Sequence, residues 1–196
     1  MITALTTSGL ATAAGFNAYI PLLALGLLDR FTPWVSLPEG WTWLSDTWML
    51  IILGVLFVVE LVADKIPGID AINDIFQTLI RPAAGGITFA SGYGADTVTV
   101  NSGEELASSG TWIAVIIGIV IALLIHLGKS FTRAAANTAT VGVAAPVIST
   151  AEDGASVLFS AAAVFLPVLV IVLLLILVIG VAGLLGRLRN REKPRY

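Results

Sequence analysis

Four long stretches of this chain are too apolar to be hidden inside a soluble domain of its size. They cover residues 1–28, 47–63, 111–128 and 155–186. The chain has 196 residues, of which 57% are hydrophobic and only 12% are charged, and one membrane-spanning helix needs roughly 20 apolar residues. The sequence therefore predicts an all-α polytopic membrane protein with about six membrane-embedded helices. Its chemistry must then depend on the few polar residues within these helices.

Composition excludes several classes of function. A net charge of −3 argues against a nucleic-acid-binding protein. The chain has no Cys and a single His, which excludes a disulfide scaffold and argues against a zinc or other multi-His metal centre. The sequence contains no protease, esterase or phosphate-loop motif. We therefore expect no enzyme, no cofactor and no metal ion.

The distribution of Lys and Arg predicts the orientation, because short loops rich in these residues stay in the cytoplasm. Residues 1–46 form a first span and an exterior Trp-rich loop, and residues 187–196 form a basic cytoplasmic tail with five Lys and Arg. With six spans, nine of the ten cations lie on the cytoplasmic side and only Arg30 lies outside. Both termini are then cytoplasmic. A four-span alternative, with re-entrant segments at 69–94 and 129–150, places Lys129 and Arg133 outside and is less consistent with the rule.

A weak internal repeat divides the region between the first span and the tail. At an offset of 64 residues, Lys65 matches Lys129 and Asn73 matches Asn137. We predict one unit at 47–110, which includes an exterior acidic loop, and a second at 111–186, which includes the last span. In the six-span topology these units are parallel, related by an axis along the membrane normal.

Four strings in the sequence resemble a known family. They are GFNAYIPLL at 15–23, ADKIPGID at 63–70, QTLIRP at 77–82 and AEDG at 151–154. In this order, together with Lys129, Arg133 and Asn137, they resemble a family of small bacterial integral membrane proteins known as the domain of unknown function four-one-two-six. The resemblance implies a location in the bacterial inner membrane. It implies no activity, substrate or catalytic residue.

Polar residues recur at helical spacing within the apolar segments. Glu60 and Asp64 share one helix face, and a second stripe is formed by every fourth residue from position 73 to 81. Proline breaks, such as Pro21 four residues after Asn17, free main-chain carbonyls that often contribute to transport sites. The candidate substrate or ion site consists of Asn17, Glu60, Asp64, Lys65, Asn73, Gln77, Arg81, Lys129, Arg133 and Asn137.

Structural alternatives stay open for these residues. Asp64 next to Lys65 is compatible with headgroup water, and the stripe at 73–81 with a solvated interfacial helix. Glu152 and Asp153 fit capping boxes that begin the last span, and we favour this interpretation over a catalytic one. His126 is predicted to be a hydrogen-bonded residue at a helix end.

These patterns favour a small transporter or permeation protein for an ion or a small polar solute. One alternative is a lipid-phosphate-handling protein, in which Lys65, Arg81, Lys129 and Arg133 would hold an anionic headgroup. The other is a non-catalytic membrane assembly partner. The expected partners are membrane lipid and a small solute or ion, without nucleic acid, and a homodimer is compatible with this prediction.

Overall fold

The computed structural model of the chain describes residues 1–66, 68–93 and 110–191. Within these ranges the regular structure is helical, without strands, and the predicted all-α class is confirmed. The predicted acidic loop falls largely on residues outside the described part. The helices are α1 (Ile2–Phe16), α2 (Tyr19–Phe31), a 3₁₀ helix (Glu39–Ser45), α3 (Thr47–Ala63), α4 (Ile69–Tyr93), α5 (Thr111–Thr140), α6 (Ala145–Phe165) and α7 (Pro167–Arg191).

The apolar content of the helices indicates a helical membrane protein. Among the described residues, two helices are long and apolar enough to cross a membrane, at Trp112–Thr138 and Ala145–Phe165. A third candidate is the pair formed by the 3₁₀ helix and α3, which is bent by 59° at its break. The structure thus supports two or three spans by length and composition, which is fewer than the six that the sequence predicts.

The first apolar stretch is two helices that run in opposite directions. Helix α1 starts near the end of α4, where Thr7 lies beside Gly92, and ends where its last residue, Phe16, meets Lys129. Helix α2 then runs back, because Gly26, in its second half, lies against Leu44 of the 3₁₀ helix. The prediction of one span over residues 1–28 is therefore wrong. The start of α1 lies at the end of the bundle that also holds the Trp-rich segment.

Asn17 makes this reversal. Its backbone is extended, with φ −146° and ψ 122°, and its side-chain Oδ1 accepts hydrogen bonds from the backbone N–H groups of Tyr19 (3.0 Å) and Ile20 (3.3 Å). It thereby satisfies two donors at the start of α2. Pro21 has no N–H to offer the Asn17 carbonyl, which instead lies 3.4 Å from the hydroxyl of Ser156. Proline thus ends one helix and a side-chain cap begins the next.

Helices α4 and α5 are continuous and pack closely. α4 passes through Pro82 without a break over 25 residues, about 37 Å at 1.5 Å per residue. α5 continues to Thr140, so the re-entrant segment at 129–150 in the four-span alternative is not observed. The two helices meet at Gly85, Gly118 and Ala122, where a Cβ on either glycine would overlap the neighbouring helix.

The predicted internal repeat is not supported by the helix boundaries. Lys65 lies in the turn after α3, whereas Lys129 lies inside the uninterrupted α5. Asn73 lies in a new helix after that turn, whereas Asn137 belongs to the same helix as Lys129. The paired positions therefore occupy different local structures.

The core is built from small side chains on α1. Ala11, Ala13 and Ala14 are completely buried, because small residues let neighbouring helices approach closely. Ser156 from α6 donates a hydrogen bond to the Ala13 carbonyl at 2.9 Å. In contrast, α7 leaves Ile176 and Ile179 more than 60% exposed. Helix α1 therefore lies inside the bundle, and α7 lies on its outer surface.

Candidate functional site

Charged side chains converge at the end of the bundle where α3 ends and α4 begins. The second half of α5, the first half of α6 and the tip between α1 and α2 reach the same place. Ionisable groups rarely gather in an apolar helical bundle without a role, because burying each of them is costly. We call the following residues the charge cluster: Glu60, Asp64, Asp74, Arg81, Lys129, Arg133 and Glu152.

Arg81 is the most deeply buried member, with no exposed surface. Its Nη2 donates to Glu60 Oε1 at 2.7 Å and lies 3.5 Å from Asp64 Oδ2. Its Nη1 lies 3.5 Å from Asp74 Oδ1. One guanidinium from α4 thus contacts two carboxylates of α3 and one of its own helix.

Arg133 lies one helical turn after Lys129 on α5 and forms the second centre of the charge cluster. Its Nη2 donates to Asp64 Oδ2 at 3.2 Å and also to Glu152 Oε2. Its Nη1 is 3.7 Å from Asp74 Oδ1. Asp64 Oδ2 is therefore shared between Arg81 and Arg133.

Lys129 connects the charge cluster to the tip between α1 and α2. Its Nζ lies 3.0 Å from Glu152 Oε2 and donates to the Phe16 carbonyl at 3.0 Å. The ammonium thus satisfies a carbonyl at the end of α1 that has no intrahelical donor. Only 6% of Lys129 is exposed, so these two contacts replace most of its hydration.

His126 lies inside α5, not at a helix end as the sequence predicted. Its Nδ1 is 3.0 Å from Arg81 Nη1, and because a guanidinium can only donate, Nδ1 must accept. Nε2 then carries the hydrogen and donates to Thr78 Oγ1 at 3.0 Å. The Thr78 hydroxyl in turn donates to the Asp74 carbonyl at 2.9 Å. The imidazole is therefore neutral and fixes the side of Arg81 that faces α5.

Polar contacts surround the charge cluster. Asp153 accepts from Asn17 Nδ2 at 3.0 Å and from Lys65 Nζ at 3.4 Å. Asn73 donates to Asp64 Oδ1 at 2.8 Å. The remaining contacts involve Asp70, whose Oδ1 accepts from the backbone N–H groups of Gly68 and Ala71 and whose Oδ2 accepts from Asn137 Nδ2.

Several buried polar atoms at this site have no hydrogen-bond partner among the described residues. On the acceptor side these are Glu60 Oε2 and Gln77 Oε1, and on the donor side they are Arg81 Nε and two nitrogens of Arg133. The Gln77 side chain lies near Tyr19 at the start of α2, and Glu60 and Arg81 are close enough to act on the same tyrosine through their charges. Such atoms are uncommon in protein interiors, where each costs free energy.

The structure brings all ten residues of the predicted site to this end of the bundle. It also adds Glu152 and Asp153, which the capping-box interpretation had set aside. That interpretation is wrong because α6 begins at Ala145, so Ser149 and Glu152 lie inside the helix. The sequence signal for Glu152 and Asp153 is their position directly before the long apolar run at 155–186. Asp74 and His126, which both contact Arg81, were not among the residues of the predicted site.

The structure shows an open apolar pocket on the surface, away from these charges. It has a volume of about 370 Å³ and lies at the break between α6 and α7, lined by Phe165, Leu166 and Pro167 among others. None of its lining residues belongs to the charge cluster. Within the described ranges, no three His, Asp or Glu side chains are grouped so that they could hold a metal ion.

Comparison with known proteins identifies one family. A family model described as "Domain of unknown function (DUF4126)" matches residues 4–187. No curated protein and no solved structure matches the chain.

Proposed function

We propose, for a chain that belongs to the family described as Domain of unknown function (DUF4126), that the charge cluster carries the function and that the protein moves an ion or a small polar solute across the membrane. The observation behind this proposal is the sharing of Asp64 between two buried arginines. A carboxylate that lies between two cations can pair more closely with one or with the other. Transport needs such a pair of states, because the site must open to each side in turn.

The proposed orientation puts the charge cluster on the cytoplasmic side of the bacterial inner membrane. Trp34 and Trp48 are exposed at the opposite end, where aromatic side chains suit the membrane interface. Helices α3 to α7 then cross the membrane in alternating directions. The pair α1 and α2 enters from the exterior and returns there. In contrast to the six-span prediction, this orientation places the N-terminus outside, while the basic tail stays in the cytoplasm.

The cost of burial supports a functional role. Even on the mildest insertion scale, a charge at the centre of a spanning helix costs roughly 2.5 to 3.5 kcal/mol. Apolar replacement of buried ion pairs is often neutral or stabilising. Stability alone is therefore a weak reason to retain Glu60, Arg81 and Arg133 at less than 3% exposure. A role in binding and releasing a charged or polar species gives a stronger reason.

Flux measurements test the proposal. We expect purified protein in liposomes to dissipate at least one imposed gradient of H⁺, Na⁺, K⁺ or Cl⁻, followed with ion-sensitive dyes. Asp64→Asn and Arg81→Gln should abolish that flux, whereas Asp46→Asn, exposed at the start of α3, should retain it. Thermal unfolding of each variant in detergent identifies loss of folding. Full flux in both cluster variants would overturn the proposal.

A phosphate-binding role is less compatible with the geometry. Each of the three cations in the charge cluster already has a carboxylate partner at 3.0 Å or less; these cations are Arg81, Lys129 and Arg133. An anionic headgroup would have to displace these internal partners. The second candidate is a non-catalytic assembly partner. It is favoured by the open apolar pocket at the break between α6 and α7, because this pocket lies away from the charges. Protein that dissipates none of the four gradients, yet is recovered with a stable partner, would favour that candidate.

A further inference from the structure

The carboxylates near the charge cluster differ in how well their oxygens are satisfied. Asp64 accepts from Asn73 on one oxygen and from Arg133 on the other. Glu60 accepts from Arg81 on Oε1, while its Oε2 is buried without a donor in the described part of the chain. A fully ionised carboxylate in a protein interior normally collects donors on both oxygens. Glu60 therefore has an oxygen that is suited to carry a proton.

The charge balance points in the same direction. The charge cluster contains four carboxylates but only three cations, since His126 is neutral. Lys65 and Asp153 pair with each other at the edge, 3.4 Å apart, and leave this balance unchanged. Burying one uncompensated negative charge is unfavourable, and the group responds by binding a proton. One proton on one carboxylate makes the charge cluster neutral.

The surroundings of Glu60 favour it over the other carboxylates as the site of that proton. Helix α2 presents Tyr19 to it and α4 presents Gln77 and Arg81. Asp64 follows Glu60 by one helical turn, at the end of α3. Lys129 of α5 acts on Glu60 only through its charge. Gln77 Oε1 is a second buried acceptor that has no donor among the residues described by the structure. A hydroxyl on Glu60 would add a donor in a region where two acceptors lack one.

We infer that Glu60 takes up and releases a proton, and that H⁺ is therefore an ion that this protein moves or couples to. The inference rests on the function proposed above. In the binding step a hydronium ion gives up a proton and becomes water, an O–H bond forms at Glu60 Oε2, and the carboxylate loses its charge. Arg81 then loses its closest ionic partner and keeps Asp64 and Asp74. Protonation at Glu60 is thereby transmitted to the arginine that competes with Arg133 for Asp64.

Infrared difference spectroscopy between high and low pH tests proton binding directly. Wild-type protein in lipid should show the C=O band of a buried protonated carboxyl group, and Glu60→Gln should lack it. Glu60→Asp should keep the band at a shifted frequency. Glu39→Gln, in the exposed 3₁₀ helix at the other end, is the matched control and should keep the wild-type band. A band that persists unchanged in Glu60→Gln would overturn the assignment.

Proton flux separates this inference from the proposed function. Under an imposed pH gradient in liposomes, wild-type and Glu39→Gln protein should conduct or couple H⁺, and Glu60→Gln should fall to the level of protein-free vesicles. Flux of another ion that is indifferent to pH and to Glu60→Gln would overturn proton coupling while the transport proposal stands. Loss of the infrared band in Glu60→Gln without flux of any ion in wild type would support proton binding and overturn transport.

Discussion

The ammonium of Lys129 lies 3.0 Å from the main-chain carbonyl oxygen of Phe16, the last residue of α1. The same ammonium is 3.0 Å from Glu152 on α6. A cation that satisfies a helix C-terminus is favourable because the last carbonyls carry partial negative charge. The helix reversal at Asn17 and the charge cluster are therefore one structural unit, and changes in either should affect the other.

Asn17→Ala tests the reversal. The variant loses the side-chain cap of α2 and the hydrogen bond to Asp153, and loss of a helix cap alone costs about 0.5–2 kcal/mol. We expect at least this reduction in the free energy of unfolding, measured by denaturant titration in detergent micelles. Thr42→Ala, which removes an exposed hydrogen bond to Glu39, should change the value by less than about 0.5 kcal/mol. Equal values for both variants would show that Asn17 does not hold the reversal.

Arg133→Met tests the energetic weight of the charge cluster. Removing this cation leaves Asp64 and Glu152 buried with less compensation, a type of change that costs about 3–5 kcal/mol. The matched change Arg30→Met, at an exposed position of α2, should cost at most about 1 kcal/mol. The same unfolding titration measures both. A similar small loss in the two variants would mean that water screens the charge cluster.

Gly118→Ala tests the close contact of α4 and α5. A Cβ at this position would overlap the Gly85 carbonyl, and overpacking of this kind costs about 1–3 kcal/mol. Gly128→Ala lies in the same helix with nothing within 4 Å of the new atom. It should be neutral or stabilise by about 0.5–1 kcal/mol, since alanine favours the helix over glycine. We expect the melting temperature to fall in Gly118→Ala and to rise or stay unchanged in Gly128→Ala.

Cysteine labelling tests the proposed orientation, because the chain has no native Cys. Thr3→Cys and Gly40→Cys are exposed positions at one end of the bundle, and Ile66→Cys is exposed at the other. A membrane-impermeant maleimide should label the first two in intact cells and the third only after permeabilisation. If Thr3→Cys is labelled only after permeabilisation, as Ile66→Cys is, the result would favour a single first span with a cytoplasmic N-terminus.

The members of the candidate site could be predicted from the sequence because burial of charge is costly. Glu60 and Asp64, or Lys129 and Arg133, lie on single helix faces at a spacing of four residues, and unpaired charges within apolar helices must find partners. The exact extent of α3 at Thr47–Ala63 also follows from hydropathy and from the turn after it. The spacing of charged residues and the local hydropathy were sufficient to predict these features.

The reversal at Asn17 and the role of Glu152 could not be predicted in the same way. A proline four residues after Asn17 is equally compatible with a kinked continuous span and with a return. The choice depends on distant partners, such as Ser156 and Lys129, that take up the free carbonyls. Likewise, Ser149 and Glu152 have the spacing of a helix start, and only the extension of α6 back to Ala145 excludes it.

The glycine contact between α4 and α5 has a mechanical consequence. With the backbones touching at Gly85 and Gly118, neither helix can slide or rotate past the other without collision, so the pair moves as a rigid body. All three cations of the charge cluster sit on this body. Most of the carboxylates that face them belong to α3 and α6, and α3 packs mainly on α2. Any exchange of ionic partners then requires the carboxylates on α3 and α6 to be displaced relative to the cations on this pair of helices.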